Sequence, residues 1–175
     1  MDAIIVDNFF DNFRLIENKF KDARLYSLSE YNKKFKKEKK FYESWPGKRS
    51  SPLVDYNPFL YNLILKEFFT KFRIGQNRVI CDATINLRLQ KDDKHDWIHT
   101  DSGEGYTHTL MVYLSKTNLS SGTVLYDQNK QPTTTIGFVQ NRALLFNANI
   151  WHRSLNNHGS NIDDGRLTLN CFLKM

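Results

Sequence analysis

Cysteine is scarce in this 175-residue chain: Cys81 and Cys171 are the only two. Two thiols cannot build the disulfide framework that staples small secreted folds, so a reducing, cytoplasmic setting is expected. Long apolar runs are missing as well. None approaches the ~20 residues needed to cross a bilayer, so no membrane partner is expected. The opening Met1-Asp-Ala-Ile-Ile-Val-Asp7 lacks the basic stretch and apolar core of a signal peptide. There is no internal repeat, no low-complexity tract outside one lysine run, and no linker that would separate two domains. These absences predict a single globular domain over 1–175. The remaining composition suits it: 40% of residues are hydrophobic and 14% aromatic, enough for a sizeable core.

Charge and histidine are unevenly placed. The formal charge is +6, yet residues 33–40 hold six lysines and one glutamate, a net +5, which leaves +1 for everything else. Tyr31, Phe35, Phe41, Tyr42 and Trp45 interleave with this run, as stacking surfaces for nucleic acid do. A solvated helix face is the more ordinary reading of such a run. All five histidines (His95, His99, His108, His152 and His158) follow residue 94.

Periodicity divides the chain near residue 75. Residues 1–75 read as a mostly helical support region. Asp7, Asn8 and Asp11 are N-cap candidates ahead of Phe13, Ile16, Phe20 and Leu25. A second helix is predicted from Asn57-Pro58 to about Phe72, and Trp45 to Pro52 reads as a loop. Residues 76–175 read as strands. Thr84 to Gln90 alternates strictly, with Ile85, Leu87 and Leu89 on one face and Asn86, Arg88 and Gln90 on the other. Further strands are expected over 105–115, 122–127, 133–139, 142–147 and 165–174. Short strands at this spacing predict a mainly β fold with N-terminal helices, an antiparallel double sheet of the jelly-roll or cupin-like kind.

The chemistry concentrates in Trp97-Ile-His99-Thr-Asp101. In an extended chain, residues two apart point the same way, so His99 and Asp101 share a face. His152 follows in Asn149-Ile-Trp-His152. Two histidines and one carboxylate on one face of a metal, with other positions open, suit non-haem Fe(II) oxygen chemistry. Then Gly165-Arg166-Leu-Thr168 places a guanidinium and a hydroxyl two apart in an apolar strand, a pattern that calls for an anionic partner. A competing pattern, His95-Asp-Trp-Ile-His99, imitates a zinc-protease helix but has no glutamate base.

These motifs, in this order, resemble the Fe(II)/2-oxoglutarate-dependent dioxygenases, particularly the prolyl-4-hydroxylase-like branch. The resemblance covers roughly residues 78–174. More loosely, Ile5-Val-Asp-Asn-Phe-Phe10 and Trp45-Pro-Gly-Lys-Arg49 look like small phage and bacterial members. It implies a double-stranded β-helix in which His99, Asp101 and His152 ligate Fe(II) and Arg166 binds the distal carboxylate of 2-oxoglutarate. Thr168 matches the hydroxyl residue two positions on. Leu110-Met-Val-Tyr113-Leu-Ser115 matches the strand whose tyrosine helps hold 2-oxoglutarate, although Ser115 departs from the usual asparagine. Ser121-Gly-Thr123 resembles the family's glycine turn, and Asn141 to Phe146 the strand leading to the distal histidine. The implied activity is hydroxylation with O2 and 2-oxoglutarate, releasing succinate and CO2. Asp101 favours hydroxylation over halogenation, and Phe172 stands where nucleic-acid-repairing relatives carry a second arginine. The implied substrates are peptidyl proline, an amino acid or a small metabolite. Asn86, Arg88 and Arg153 are substrate-contact candidates, while Trp97 and Trp151 are expected to pack. The alternative is a basic protein that binds or modifies nucleic acid through 33–40.

Overall fold

Alternation of apolar and polar side chains along two long strands organises the whole molecule. The structure, a computed structural model, describes residues 3–35, 45–75 and 79–175. In chain order its elements are β1 (Ile4–Val6), α1 (Phe13–Lys21), β2 (Leu25–Ser27), α2 (Leu28–Phe35), β3 (Lys48–Ser50), α3 (Leu53–Tyr56), α4 (Pro58–Phe72), β4 (Ile80–Arg88), β5 (His108–Tyr113), β6 (Asn118–Tyr126), β7 (Pro132–Phe138), β8 (Ala143–Asn147), β9 (Trp151–Leu155) and β10 (Arg166–Lys174). All pairings are antiparallel. One sheet runs β1-β8-β5-β10-β4-β3-β2, and a smaller one runs β7-β6-β9.

On β4 and β10 the odd-numbered residues face the helices. Cys81, Ala83, Ile85 and Leu87, with Leu167, Leu169, Cys171 and Leu173, form one apolar cluster with Phe9, Phe10, Phe13, Phe20, Leu60, Ile64 and Phe68. The even-numbered residues face the small sheet. Between the sheets, Met111, Tyr113, Leu125, Ile136, Phe138, Leu144 and Phe146 form a second cluster. No helix of the described residues is long and apolar enough to cross a membrane.

The predicted second helix is α4. Pro58 occupies its first turn, and the Asn57 side chain accepts from Leu60 N at 3.1 Å, satisfying one otherwise orphaned donor. The first helix ends earlier than expected, at Lys21, and Leu25 enters β2. The region expected to be helical also contains β1 and β3. The expected loop over Trp45 to Pro52 holds β3, which pairs with both β2 and β4. Three-residue strands carry no readable period, and they form because an existing sheet edge offers partners. Nor is Ser121-Gly-Thr123 a turn: it lies inside β6 beside a register shift. A Cβ at Gly122 would stand 2.1 Å from the Ile136 carbonyl oxygen, so the close approach of β7 requires glycine.

Of the lysine run, Lys33 and Lys34 lie exposed on α2, and Lys34 Nζ sits 4.6 Å from the centre of the Tyr26 ring. Residues 36–40, with Phe41 and Tyr42, lie outside the described residues.

Phe68 is fully buried against Phe69 and Phe72 and joins α4 to the sheet. Phe68→Ala should cost about 3–5 kcal/mol in urea-unfolding experiments. Leu15→Ala, at a side chain 79% exposed, should change stability by less than about 0.5 kcal/mol.

Candidate active site

His99 and His152 face each other across an isolated antiparallel bridge. His99 N donates to the His152 carbonyl at 3.0 Å, and His152 N returns the bond at 2.8 Å. Asp101 N donates to the Ala148 carbonyl at 2.9 Å. Backbone pairing to β9 and the turn before it therefore positions all three side chains. As expected, His99 and Asp101 share a face, but on an extended connection rather than in a strand. His95 is exposed at the end of a 3-10 turn over Gln90–His95, so it shares no helix with His99.

The three potential ligand atoms lie within 4.8 Å of one another. His152 Nε2 stands 3.3 Å from one Asp101 oxygen and His99 Nε2 3.7 Å from the other. Each imidazole Nδ1 bonds to a backbone carbonyl, Trp97 O at 2.9 Å and Ile150 O at 3.0 Å. A carbonyl can only accept, so both Nδ1 atoms carry a proton, which leaves each Nε2 as the ligating atom turned toward the common centre. Burial and the neighbouring His152 lower the His99 pKa and keep it neutral. Burial opposes the Asp101 carboxylate, but His152 and His99 in their protonated forms, and the Thr109 hydroxyl, donating at 2.8 Å, lower its pKa. Two imidazoles and one carboxylate make a donor set that fits a divalent cation such as Fe(II).

The even-numbered face of β10 begins with Arg166, 2% exposed. Its Nη2 donates to the Gly122 carbonyl at 3.2 Å and to Thr123 Oγ1 at 3.4 Å, and its Nε is buried with no hydrogen-bond partner. Among the described residues no carboxylate pairs with it. Burial pushes its pKa down to about 10, still protonated at neutral pH. A buried, cationic, under-bonded guanidinium is the observation that a carboxylate ligand would answer. Thr168 follows on the same face, in register with Asn86 on one side and Tyr113 on the other. The Tyr113 hydroxyl donates to Thr123 Oγ1 at 2.8 Å, so Tyr113 acts on the Arg166 surroundings through Thr123.

A cavity of about 390 Å³ joins the triad to Arg166, and Arg88, Thr123, Ser154, Trp45, Trp97 and Phe172 also line it. Of the substrate candidates, Arg88 lines this cavity. Asn86 does not; its Oδ1 accepts from Arg49 Nε at 3.1 Å, so it props a residue that does. Arg153 alternates with the inward-facing His152 and Ser154 and lies on the opposite face of β9. Trp97, expected to pack, is 40% exposed with its ring 5.7 Å from that of His99. The sequence reading passed over Asp96 and Ser154, which hold Arg88. Neither belongs to a motif, and only their three-dimensional proximity marks them.

No protein-family model matches this sequence, and no curated protein matches it either. Several solved structures share its fold. One is a 2OG-Fe(II) oxygenase-family oxidoreductase from Burkholderia pseudomallei, with a TM-score of 0.67 at 10% identity over 99% of this chain and 84% of that one. Another is HygX from Streptomyces hygroscopicus with nickel, 2-oxoglutarate and hygromycin B bound (TM-score 0.67, 12% identity, 98% and 82% of the two chains). A prolyl-4-hydroxylase from Pseudomonas putida aligns at a TM-score of 0.55 and 12% identity, over 99% and 92%. At such identities the likeness speaks for the fold, which is the expected double-stranded β-helix.

Proton competition gives the triad a test. Ligation needs neutral Nε2 atoms, and His99 is held below the ordinary imidazole value of 6.5. Co(II) affinity measured by calorimetry should therefore weaken as pH falls into the acid range, where protons compete for the imidazoles. An affinity that rises on acidification would contradict the ligand set.

Proposed function

We propose that the chain is an Fe(II)/2-oxoglutarate-dependent oxygenase that uses O2 to hydroxylate its substrate and releases succinate and CO2. The observation that carries this reading is one cavity holding both a two-histidine, one-carboxylate triad and a buried arginine without a counter-charge. Fe(II), when bound, supplies O2 activation coupled to decarboxylation of the 2-oxo acid.

The chain's own part is positional. His99, Asp101 and His152 hold the metal from one side and leave its other side toward the cavity. Arg166 takes the distal carboxylate of 2-oxoglutarate through its fork of donors, and Thr168 adds a hydroxyl on the same face. Thr123, held by Tyr113, keeps the Arg166 guanidinium aimed. Carbonyl and aromatic walls around Arg166 exclude water and so strengthen that pairing.

Substrate approaches past Trp45, Pro46, Trp97 and Phe172, an apolar rim interrupted by Arg49. Such a rim favours a compact, partly apolar group at the metal, as in peptidyl proline, an amino acid or a small metabolite. Neighbours of the same fold support that range, since one is named a prolyl-4-hydroxylase and another was solved with hygromycin B. Neither Lys33 nor Lys34 lines the cavity, so the nucleic-acid alternative draws no support from the site.

Anaerobic addition of Fe(II) and 2-oxoglutarate should produce a weak visible charge-transfer band. His99→Ala should abolish it, and a band that survives in that variant rejects the ligand assignment. Arg166→Ala should weaken 2-oxoglutarate binding by about 30-fold or more while sparing the metal. A succinate-release screen across peptides, amino acids and nucleotides would then identify the substrate class.

A further inference from the structure

Two arginines enter the same cavity from adjacent strands. Arg88 ends β4 and Arg166 begins β10, and they are direct register partners. Like charges placed so are unfavourable unless one is neutralised. Among the described residues only Arg88 of the two has a carboxylate within ion-pair distance: its Nη1 lies 2.7 Å from Asp96 Oδ2, and the Asp96 side chain is 3% exposed. The same Nη1 donates to Ser154 Oγ at 2.6 Å. Ser154 stands two residues beyond His152 on the same face of β9, and Asp96 stands three residues before His99. Asp96 also accepts from Trp97 N at 3.0 Å and from Asn157 Nδ2 at 3.3 Å. One buried ion pair thus joins β4, the segment leading to His99, and the strand that carries His152.

The geometry points to Asp96 as a positioning residue for the co-substrate: by holding Arg88 against Ser154, it keeps that guanidinium out of the dicarboxylate's seat and leaves Arg166 to take it. The inference rests on the reading of Arg166 proposed above. With Arg88 released, its guanidinium would be free to enter the space beside its register partner Arg166 and obstruct the dicarboxylate there. Burial works against the Asp96 carboxylate, but Arg88, Ser154 and Asn157 outweigh it and keep it ionised at neutral pH. Arg166 needs no such restraint, because its hydrogen-bond partners Gly122 O and Thr123 Oγ1 are neutral.

The test uses Co(II)-loaded protein, with 2-oxoglutarate affinity measured by calorimetry and the metal's visible spectrum recorded alongside. Asp96→Asn should weaken 2-oxoglutarate binding by about 10- to 100-fold, the range for lost supporting contacts. It should also alter the Co(II) spectrum seen with 2-oxoglutarate. Removing the released guanidinium as well, in Arg88→Met/Asp96→Asn, should bring affinity back to within about threefold of wild type, because the two side chains act as one unit. Ser154→Ala loosens Arg88 without unpairing a buried charge, so it should weaken binding by about 2- to 10-fold. The proposal is overturned if Asp96→Asn binds as wild type does, or if the double variant is as weak as the single one, since Asp96 would then act on structure alone. If Asp96→Asn does not fold, the other two variants decide: unchanged affinity in Ser154→Ala, or weak binding in the double variant, overturns it. Wild-type protein that binds Co(II) but no 2-oxoglutarate would instead refute the oxygenase reading, and this proposal with it.

Discussion

A guanidinium buried without a counter-charge sets the terms for the rest of this structure. Taking a cation out of water is costly unless the protein or a ligand replaces the lost hydration. Around Arg166 the replacement is partial: a carbonyl, a hydroxyl, and the rings of Tyr113 and Phe138, whose centres lie 5.7 and 5.6 Å from the guanidinium carbon. These keep the group charged but leave Nε unbonded. A pocket in this condition is prepared for an anion, and its walls must be rigid enough to stay so.

That rigidity comes from β10, which serves two purposes at once. Its odd-numbered residues are locked into the aromatic and aliphatic layer under the helices, while Arg166, Thr168, Asn170 and Phe172 look into the gap between the sheets. A one-residue slip would exchange the two sets, and the apolar cluster forbids it. The triad is fixed by different means. Its side chains hang from a short bridge between an irregular segment and β9, and the two imidazole orientations are set by carbonyls. Precise placement on loops needs such supporting hydrogen bonds, and the Asp96–Arg88–Ser154 network braces the same two segments.

Much of this is legible in the sequence. The α4 boundaries follow from Asn57 and Pro58, because capping is a local interaction. The strict alternation through Ile85, Leu87 and Leu89 marked β4, because burial of one face imposes a period of two. His99, Asp101, His152 and Arg166 stood out as residue types whose chemistry needs partners. Other features were not legible. The strands β1, β2 and β3 are three residues each and exist only as additions to a sheet built elsewhere. Trp97 seemed a packing residue because aromatic side chains usually are, and the fold leaves it exposed at the cavity. Arg153 is a substrate-contact candidate in the sequence, and the pleat of β9 places it on the face opposite His152.

The sequence by itself therefore determined the elements with local signals, the division into a helical layer and a β core, and the chemical types at the site. Those depend on capping, periodicity and side-chain chemistry, which act over a few residues. Tertiary structure alone decided which of two neighbouring arginines is neutralised and which is left for an anion. That choice depends on Asp96 and Ser154 arriving within hydrogen-bond distance of Arg88 from segments 8 and 66 residues away, a distance in sequence that no local pattern spans.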